Sequence, residues 1–409
     1  MSAKRIFDPV HHFIELGAAE VRLLDTPVLQ RLRRLRQLGL AYLAFPAAEH
    51  SRFSHGLGAL AAGERVLGAL RAQDSGYFAG ESDYQQQRKL LRASLLLHDV
   101  GHGPFSHACE AVLGVRHEVR TRAILERADM REALAALEVE FDEVVALITG
   151  DEPTRYPVLK ELVSGPNLDA DRMDYLLRDA YFTGVTSGRY DAEQLIISFR
   201  VFERDGKPVL GIDGRGIVAL ESFVLARYMM FATVYFHHTT RMFERVLQAA
   251  LREIWPDPRA LDATDEFLSW DDFRVLDAFR LAPGPAARAL RERKTLYGVA
   301  AEFNAERDLL VFEECLEALR ARYGEALWAD SQEQLLHRLP LGLDDASPTV
   351  LVGTRVGVVD ARNASDLIAR LAGKAYWRKL FVAKDEVSVA EARELCRAII
   401  REPAHTLSG

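Results

Sequence analysis

The chain has 409 residues, 49% of them hydrophobic and 27% charged, enough to bury a substantial core and ordinary for a soluble globular fold. A formal net charge of −8 argues against a general nucleic-acid coat while leaving room for a local basic pocket. Three widely spaced cysteines, Cys109, Cys315 and Cys396, exclude a disulfide framework and suit a reducing compartment.

The N-terminus, Met1 to Pro9, has no signal-type apolar region, and no apolar run approaches a membrane span, so a cytoplasmic location off the membrane is expected. After a mixed pattern from Phe13 to Leu24, Asp25-Thr26-Pro27 predicts a helix start, with a capping side chain before a first-turn proline. That helix would carry Val28, Leu29, Leu32, Leu35 and Leu38 on one side. Arg31, Arg33, Arg34 and Arg36 crowd the rest, as a solvated face, a phosphate lining or a subunit contact. Arg52-Phe53-Ser54-His55 opens a second helix that runs past Val66. Gln73 to Gln87 reads as a polar surface loop.

The stretch from Leu95 to His107 is the densest in chemistry. An apolar run delivers His98 and Asp99 side by side, and Gly101-His102-Gly103-Pro104 then breaks the regular backbone. With His50, His55, His107 and His117, half of the twelve histidines fall between positions 50 and 117. A buried carboxylate needs a cation, a metal or several donors. Imidazole with carboxylate oxygen suits Mg, Mn, Fe, Co or Zn, and no thiolate pattern competes. Any one of these histidines would also serve as a core residue bonded to its own turn; the cluster together points to a metal.

From Val119 to Ile148 apolar residues recur at helical spacing. In the block Asn167 to Tyr181, helical geometry puts Asp171, Tyr175 and Arg178 on one face, with Asp174 flanking and Met173, Leu176 and Leu177 opposite. The charged face points to water or into a cleft. Ile196 to Ile212 predicts a β-hairpin turning at Asp205-Gly206. Gly216 to Trp255 reads as one long helical segment. It aligns Arg227, His238 and Arg241, with Tyr235 and His237 to either side, a surface fit for phosphate and a ring, or simply core. Past Trp255 the texture changes: helices over much of 286–328, strands over Thr349 to Val359, and a helix from Ala364 to Leu371. The expected fold is mainly α, with a helical body over 1–255. A smaller mixed α/β C-terminal region over 256–409 would serve oligomerisation or regulation.

The ordered set Arg52-Phe53-Ser54-His55, Leu97-His98-Asp99-Val100-Gly101-His102-Gly103-Pro104-Phe105-Ser106-His107, His117-Glu118 and Asp169-Ala170-Asp171-Arg172-Met173-Asp174-Tyr175 resembles the HD-domain phosphohydrolases. More narrowly it resembles the deoxynucleoside triphosphate (dNTP) triphosphohydrolases, both the enzyme that joins a sterile alpha motif (SAM) to its HD domain and the shorter bacterial relatives. The likeness covers roughly residues 4–250, with no SAM segment expected ahead of it. It implies an HD-domain helical core and one divalent metal ion held by His55, His98, Asp99 and Asp171. His102, His107 and His117 would sit, with Asp99, at the scissile phosphate. Arg52, Arg172, Tyr175 and Arg227 would hold the triphosphate, and Gln37, Leu38, Asp179 and Tyr235 the sugar and base. Glu110 stands where the SAM-containing relative has aspartate, and Arg172 where it has lysine.

The implied reaction is metal-dependent water attack at the α-phosphate of a dNTP, with His107 or His117 as acid, giving a deoxynucleoside and inorganic triphosphate. Alternatives on the same scaffold are an alarmone pyrophosphohydrolase, a cyclic nucleotide phosphodiesterase or a non-catalytic nucleotide sensor. The resemblance further implies a nucleotide activator between subunits of a dimer or tetramer, at Lys4, Asp25, Gln30, Arg33 and Arg200, without a requirement for nucleic acid. Asp25 reads equally as a helix cap, and Ala219 lacks the polar side chain the activator pattern calls for.

Overall fold

The first apolar residues pair before any helix forms. Strands β1 (Lys4–Asp8) and β2 (His12–Leu16) make an antiparallel hairpin with Asp8 opposite His12. The computed structural model describes residues 3–73, 76–337, 350–371 and 373–401. Residues 74 and 75 of the expected surface loop, and Thr349 of the expected strand, lie outside the described residues.

After a short helix, Ala18–Leu24, Thr26 caps a second and Pro27 occupies its first turn, but that helix ends at Arg31. After one tight turn, Leu32–Arg34, Leu35 becomes extended. Tertiary bonds outcompete the helical ones: Arg36 N–H donates to Asp272, Gln37 N–H to the His50 carbonyl, and Arg52 N–H to the Leu35 carbonyl. The arginine run is a solvated face only at Arg33 and Arg34. Arg31 is 1% exposed and donates to the His102 and Trp270 carbonyls, while Arg34 pairs with Asp271 and Arg36 with Glu49.

Helix α1 (Arg52–Ala72) starts behind the Ser51 cap, and α2 (Glu81–Leu97) starts inside the expected loop, so residues 81–87 are helical. After a broken segment come α3 (His107–Leu113) and α4 (His117–Leu125). Residues 119–148, with their helical spacing, form three helices, separated near Arg127 and at Glu138, whose φ is 58°. Helix α5 (Ala170–Thr183) crosses α1 where Gly58 leaves room: a Cβ there would stand 1.9 Å from Asp174 Oδ1.

Strands β3 (Phe199–Arg204) and β4 (Lys207–Asp213) turn at Asp205 and Gly206, both with positive φ, as the Asp-Gly pair predicts. The long helix over 216–255 is broken into α6 (Ile217–Met230), a π-helical stretch Phe231–Tyr235, and α7 (His238–Ile254). The break takes His238 and Arg241 off the line of Arg227; His238 faces Glu302, and Arg241 bonds Asp330 and Glu244. Contrary to expectation, Gly214–Tyr235 is long and apolar enough to span a membrane. Its Leu220, Phe223, Val224 and Met230 are buried in the core.

The C-terminal part adds β5 (Tyr297–Phe303), α8 (Leu309–Tyr323), β6 (Leu327–His337), β7 (Leu351–Thr354), β8 (Gly357–Asp360), β9 (Gly373–Ala383) and α9 (Val389–Ile400). β5 interrupts the helices expected over 286–328. One sheet has the order β3-β4-β7-β8, joined by a parallel β4–β7 pair, and the other is β5-β9-β6. The chain is mainly helical, with its sheets concentrated towards the C-terminal part. Apolar residues on both sides of position 255, from Leu251 to Leu261, Phe267 and Phe279, share one core, and a second core lies among Phe312, Cys315, Leu319, Leu380 and Cys396.

Candidate active site

His55 stands one turn into α1, and His98 and Asp99 stand at the end of α2, pushed inward by the buried leucines 95–97. Asp171 lies in the first turn of α5, whose start is fixed by Asp169 accepting from Arg172 N–H. The three elements bring four donors together. His55 Nε2 is 3.2 Å from His98 Nε2 and 2.9 Å from Asp171 Oδ1. Asp99 lies slightly farther out, 3.5 Å from His98 Nε2 and 3.8 Å from His55 Nε2.

Both imidazoles have their other nitrogen engaged. His55 Nδ1 donates to Asp174 at 2.7 Å, and His98 Nδ1 to the Leu95 carbonyl at 2.8 Å. Each Nε2 is thereby turned, lone pair inward, towards the two carboxylates, the arrangement that ligating histidines adopt. His55, His98 and Asp171 form a group able to hold a metal ion, with Asp99 at its edge. Without an ion, burial opposes a proton on His55, but Asp171 and Asp174 carry its pKa up to about 10.

Behind His55 lies a buried charge lattice. Arg178, fully enclosed, bonds both oxygens of Asp8 and of Asp174, and His11 Nε2 meets Asp174 Oδ1 at 2.8 Å. Burial would raise Asp174, but Arg178, His11 and His55 hold it well below its ordinary value. The helix face of Asp171, Tyr175 and Arg178 therefore points inward, and Leu176 opposite is buried as well.

A second cluster gathers on one oxygen of Glu110. His102, His107 and His117 each place Nδ1 3.2, 3.4 and 3.1 Å from it. His102 and His117 stack at 4.0 Å between ring centres, and His102 Nε2 reaches Asp99 Oδ1 at 3.3 Å. Asp99 thus joins the two clusters. Burial with Arg52 and His117 lowers His102 to about 4, whereas His117, despite burial, is raised by Glu110. Burial alone would raise Glu110; its three histidines hold it far below.

Phe105 and Ser106 before α3 have φ of 54° and 55°, strained for residues with side chains. Ser106 is held there by Arg52, whose Nε and Nη2 both bond its hydroxyl while Nη1 bonds Asp99 at 2.6 Å. Arg52, expected at the triphosphate, is buried and bonds Asp99 and Ser106. Arg172 bonds Asp169 and the Gly165 carbonyl. Arg227 is buried beside Tyr175 and Arg172, and that burial lowers its pKa. Asp179 is enclosed with both oxygens engaged, one by His50 Nε2 at 2.7 Å and one by the Tyr235 hydroxyl at 2.8 Å. Gln37, Leu38, Tyr235 and His107 line one cavity of about 150 Å³, together with Phe105, Thr240, Glu244 and Leu247.

The residues of the expected activator site do not all meet. Lys4 lies 3.9 Å from Asp25, and Arg33 bonds Gln30 and stacks over Phe53. Arg200 is held on β3 by Asp213 and by the carbonyls of Ile197 and Phe199. The sequence alone assigns no role to Asp8, His11, Thr240 or Glu244, and gives His50 only a place in the histidine cluster. Nothing local marks Asp8, His11 or His50, whose partners Arg178, Asp174 and Asp179 lie more than a hundred residues away.

Residues 52–179 match the HD domain and residues 190–311 an HD-associated region. The uncharacterised protein YwfO of Bacillus subtilis is 38% identical over 255 residues, covering 61% of this chain and 56% of that one. Human deoxynucleoside triphosphate triphosphohydrolase SAMHD1 is 26% identical over 302 residues, 66% of this chain and 45% of its own. The chain therefore spans about half the length of these relatives. A hypothetical protein from Aquifex aeolicus has a similar crystal structure (TM-score 0.81, 29% identity, 96% of this chain and 99% of that one). So does a phosphohydrolase from Bacteroides thetaiotaomicron (TM-score 0.71, 26% identity, 93% and 100%).

Proposed function

The chain carries an HD domain with an HD-associated region, the pattern of metal-dependent HD phosphohydrolases, and on that premise we propose that it hydrolyses deoxynucleoside triphosphates to deoxynucleoside and inorganic triphosphate. The observation that carries this reading is the position of Asp99, shared between the His55–His98–Asp171 donors and the His102–Glu110–His117 cluster. A cation site and a proton store built around one carboxylate suit phosphoester hydrolysis. The likeness to human SAMHD1 supports the finer choice of substrate.

His55, His98, Asp99 and Asp171 would hold one divalent ion, which supplies an acidified water and draws charge from the α-phosphate when bound. Arg172 and Arg227, either side of Tyr175, offer the positive charge for the remaining phosphates. His117 is the imidazole suited to give a proton to the departing 5′ oxygen, since Glu110, against burial, raises its pKa. His102, neutral near pH 7, orients Asp99. Tyr235, fixed by Asp179, and Gln37 and Leu38 face the sugar and base. An activating nucleotide at Lys4, Asp25, Gln30 and Arg33, in an oligomer, belongs to the same proposal.

The test is a panel of nucleotides with chromatography of the products across Mg, Mn and Co. Inorganic triphosphate and a deoxynucleoside are expected. Pyrophosphate from an alarmone, or opening of a cyclic nucleotide, would replace this reading with another hydrolysis. Nucleotide binding without turnover under any metal would make the protein a sensor.

A further inference from the structure

The cavity beside His107 is apolar over most of its wall, from Leu38, Leu40, Phe105, Val234 and Leu247. Ser106, His107 and Tyr235 also line it but face Arg52, Glu110 and Asp179, which leaves three further polar groups in the wall. Gln37 Oε1 and Thr240 Oγ1 are sealed from solvent and meet no hydrogen-bond partner among the described residues. A buried polar atom left so is costly, and a ligand that bonds it recovers the loss. The third group is the Glu244 carboxylate, on α7 one turn beyond Thr240. Its Oε2 accepts from Arg241 at 2.5 Å, and Arg241 is anchored in turn by Asp330 of β6. Held by the Arg241 guanidinium, the carboxylate is an acceptor, as is Gln37 Oε1, so this wall asks its ligand for donors.

We propose that this cavity selects the base of the substrate, and that Glu244, supported by Thr240 and Gln37, favours guanine. The inference rests on the dNTP reading and names the substrate that reading leaves open. Guanine presents N1–H and the 2-amino group side by side, matching the two directions of a carboxylate. Adenine and cytosine offer an amino group next to a ring acceptor, which matches only one. Thymine flanks its single N3–H with two carbonyl oxygens, and both oppose a carboxylate. A site built to bond specific donors rejects analogues that lack them far more sharply than an apolar slot does. The flat apolar walls accept any base; the carboxylate ranks them.

The measurement is internal competition: dGTP, dATP, dCTP and dTTP are mixed with the metal-loaded protein and their relative consumption is followed. In a mixture any activation acts on all four alike. Consumption of dGTP is expected to exceed that of dTTP by about tenfold or more. In a second mixture dITP, which lacks the 2-amino group, should fall between them. Glu244→Gln should shrink the dGTP-to-dTTP ratio by about tenfold, and Thr240→Val by a smaller factor. If Glu244→Gln does not fold, the dITP comparison and Thr240→Val decide. Turnover of all four at equal rates, or an unchanged ratio in folded Glu244→Gln, overturns the base assignment and leaves triphosphohydrolysis standing. No turnover of any dNTP overturns both.

Discussion

Asp174 never touches the cleft, yet its Oδ2 takes the Nδ1 proton of His55 at 2.7 Å and so decides which nitrogen of His55 faces the metal donors. Asp174→Asn can donate as well as accept, so the tautomer of His55 is no longer fixed. Metal affinity should fall about 10- to 100-fold. Arg178 would keep only Asp8 as a full counter-charge, at a further cost of about 3 kcal/mol in stability. Retention of metal during dialysis against graded chelator, with a thermal melt alongside, checks both effects. Wild-type retention in the variant would remove Asp174 from the site.

His98→Ala combined with Asp99→Ala removes two of the four donors. The double variant should bind no stoichiometric metal and show no hydrolysis. A chelator should lower the melting temperature of the parent protein and leave that of the variant where it is, because binding free energy then no longer adds to folding free energy. A melting shift with chelator in the double variant would mean that the ion sits elsewhere.

The fold class was legible because its cause is local. Apolar spacing predicts the helices, and Asp205-Gly206 specifies its own turn. The helix after Pro27 was misjudged in length because what ends it, Asp272 bonding Arg36 N–H, lies 236 residues away. The break at Phe236 was hidden for a related reason: propensity is continuous there, while Trp377 of β9 packs against Phe231 and Phe236 from outside. At the site, residue types chosen for the metal converge, since His-Asp adjacency is a sequence feature. Arg52 is placed at the phosphates by the family resemblance alone. Its commitment to Ser106 follows from strained backbone that no pattern reveals.

Arg227→Ala tests the phosphate assignment. Arg227 is buried next to a second cation, Arg172, an arrangement that favours an anionic ligand. Removing the guanidinium should cut kcat/KM by about 100-fold, since charge-assisted bonds to phosphate are worth a few kcal/mol. The melting temperature without nucleotide should stay within a few degrees. Unfolding of the variant, with full activity in its folded remainder, would make Arg227 a structural residue.

Glu161 gives a pH dependence remote from the metal donors. Its side chain borders a cavity with Pro166, Phe199, Leu210 and Val350, and accepts from Leu210 N–H at 3.1 Å. Burial, only partly offset by that bond, pushes its carboxyl up to about 7. Below pH 4.5 the carboxyl is protonated in folded and unfolded chains alike. Between there and about pH 7 the folded protein keeps a proton that the unfolded chain has already released, so this residue's contribution falls as pH rises. Well above pH 7 the full penalty is present, on the order of 3 kcal/mol. Glu161→Gln keeps an oxygen for Leu210 and has no charge to bury. Thermal melts at pH 5 and pH 8 should therefore show the variant close to the parent at the lower pH and more stable at the higher. Equal differences at both values would mean that Glu161 titrates normally in the folded protein.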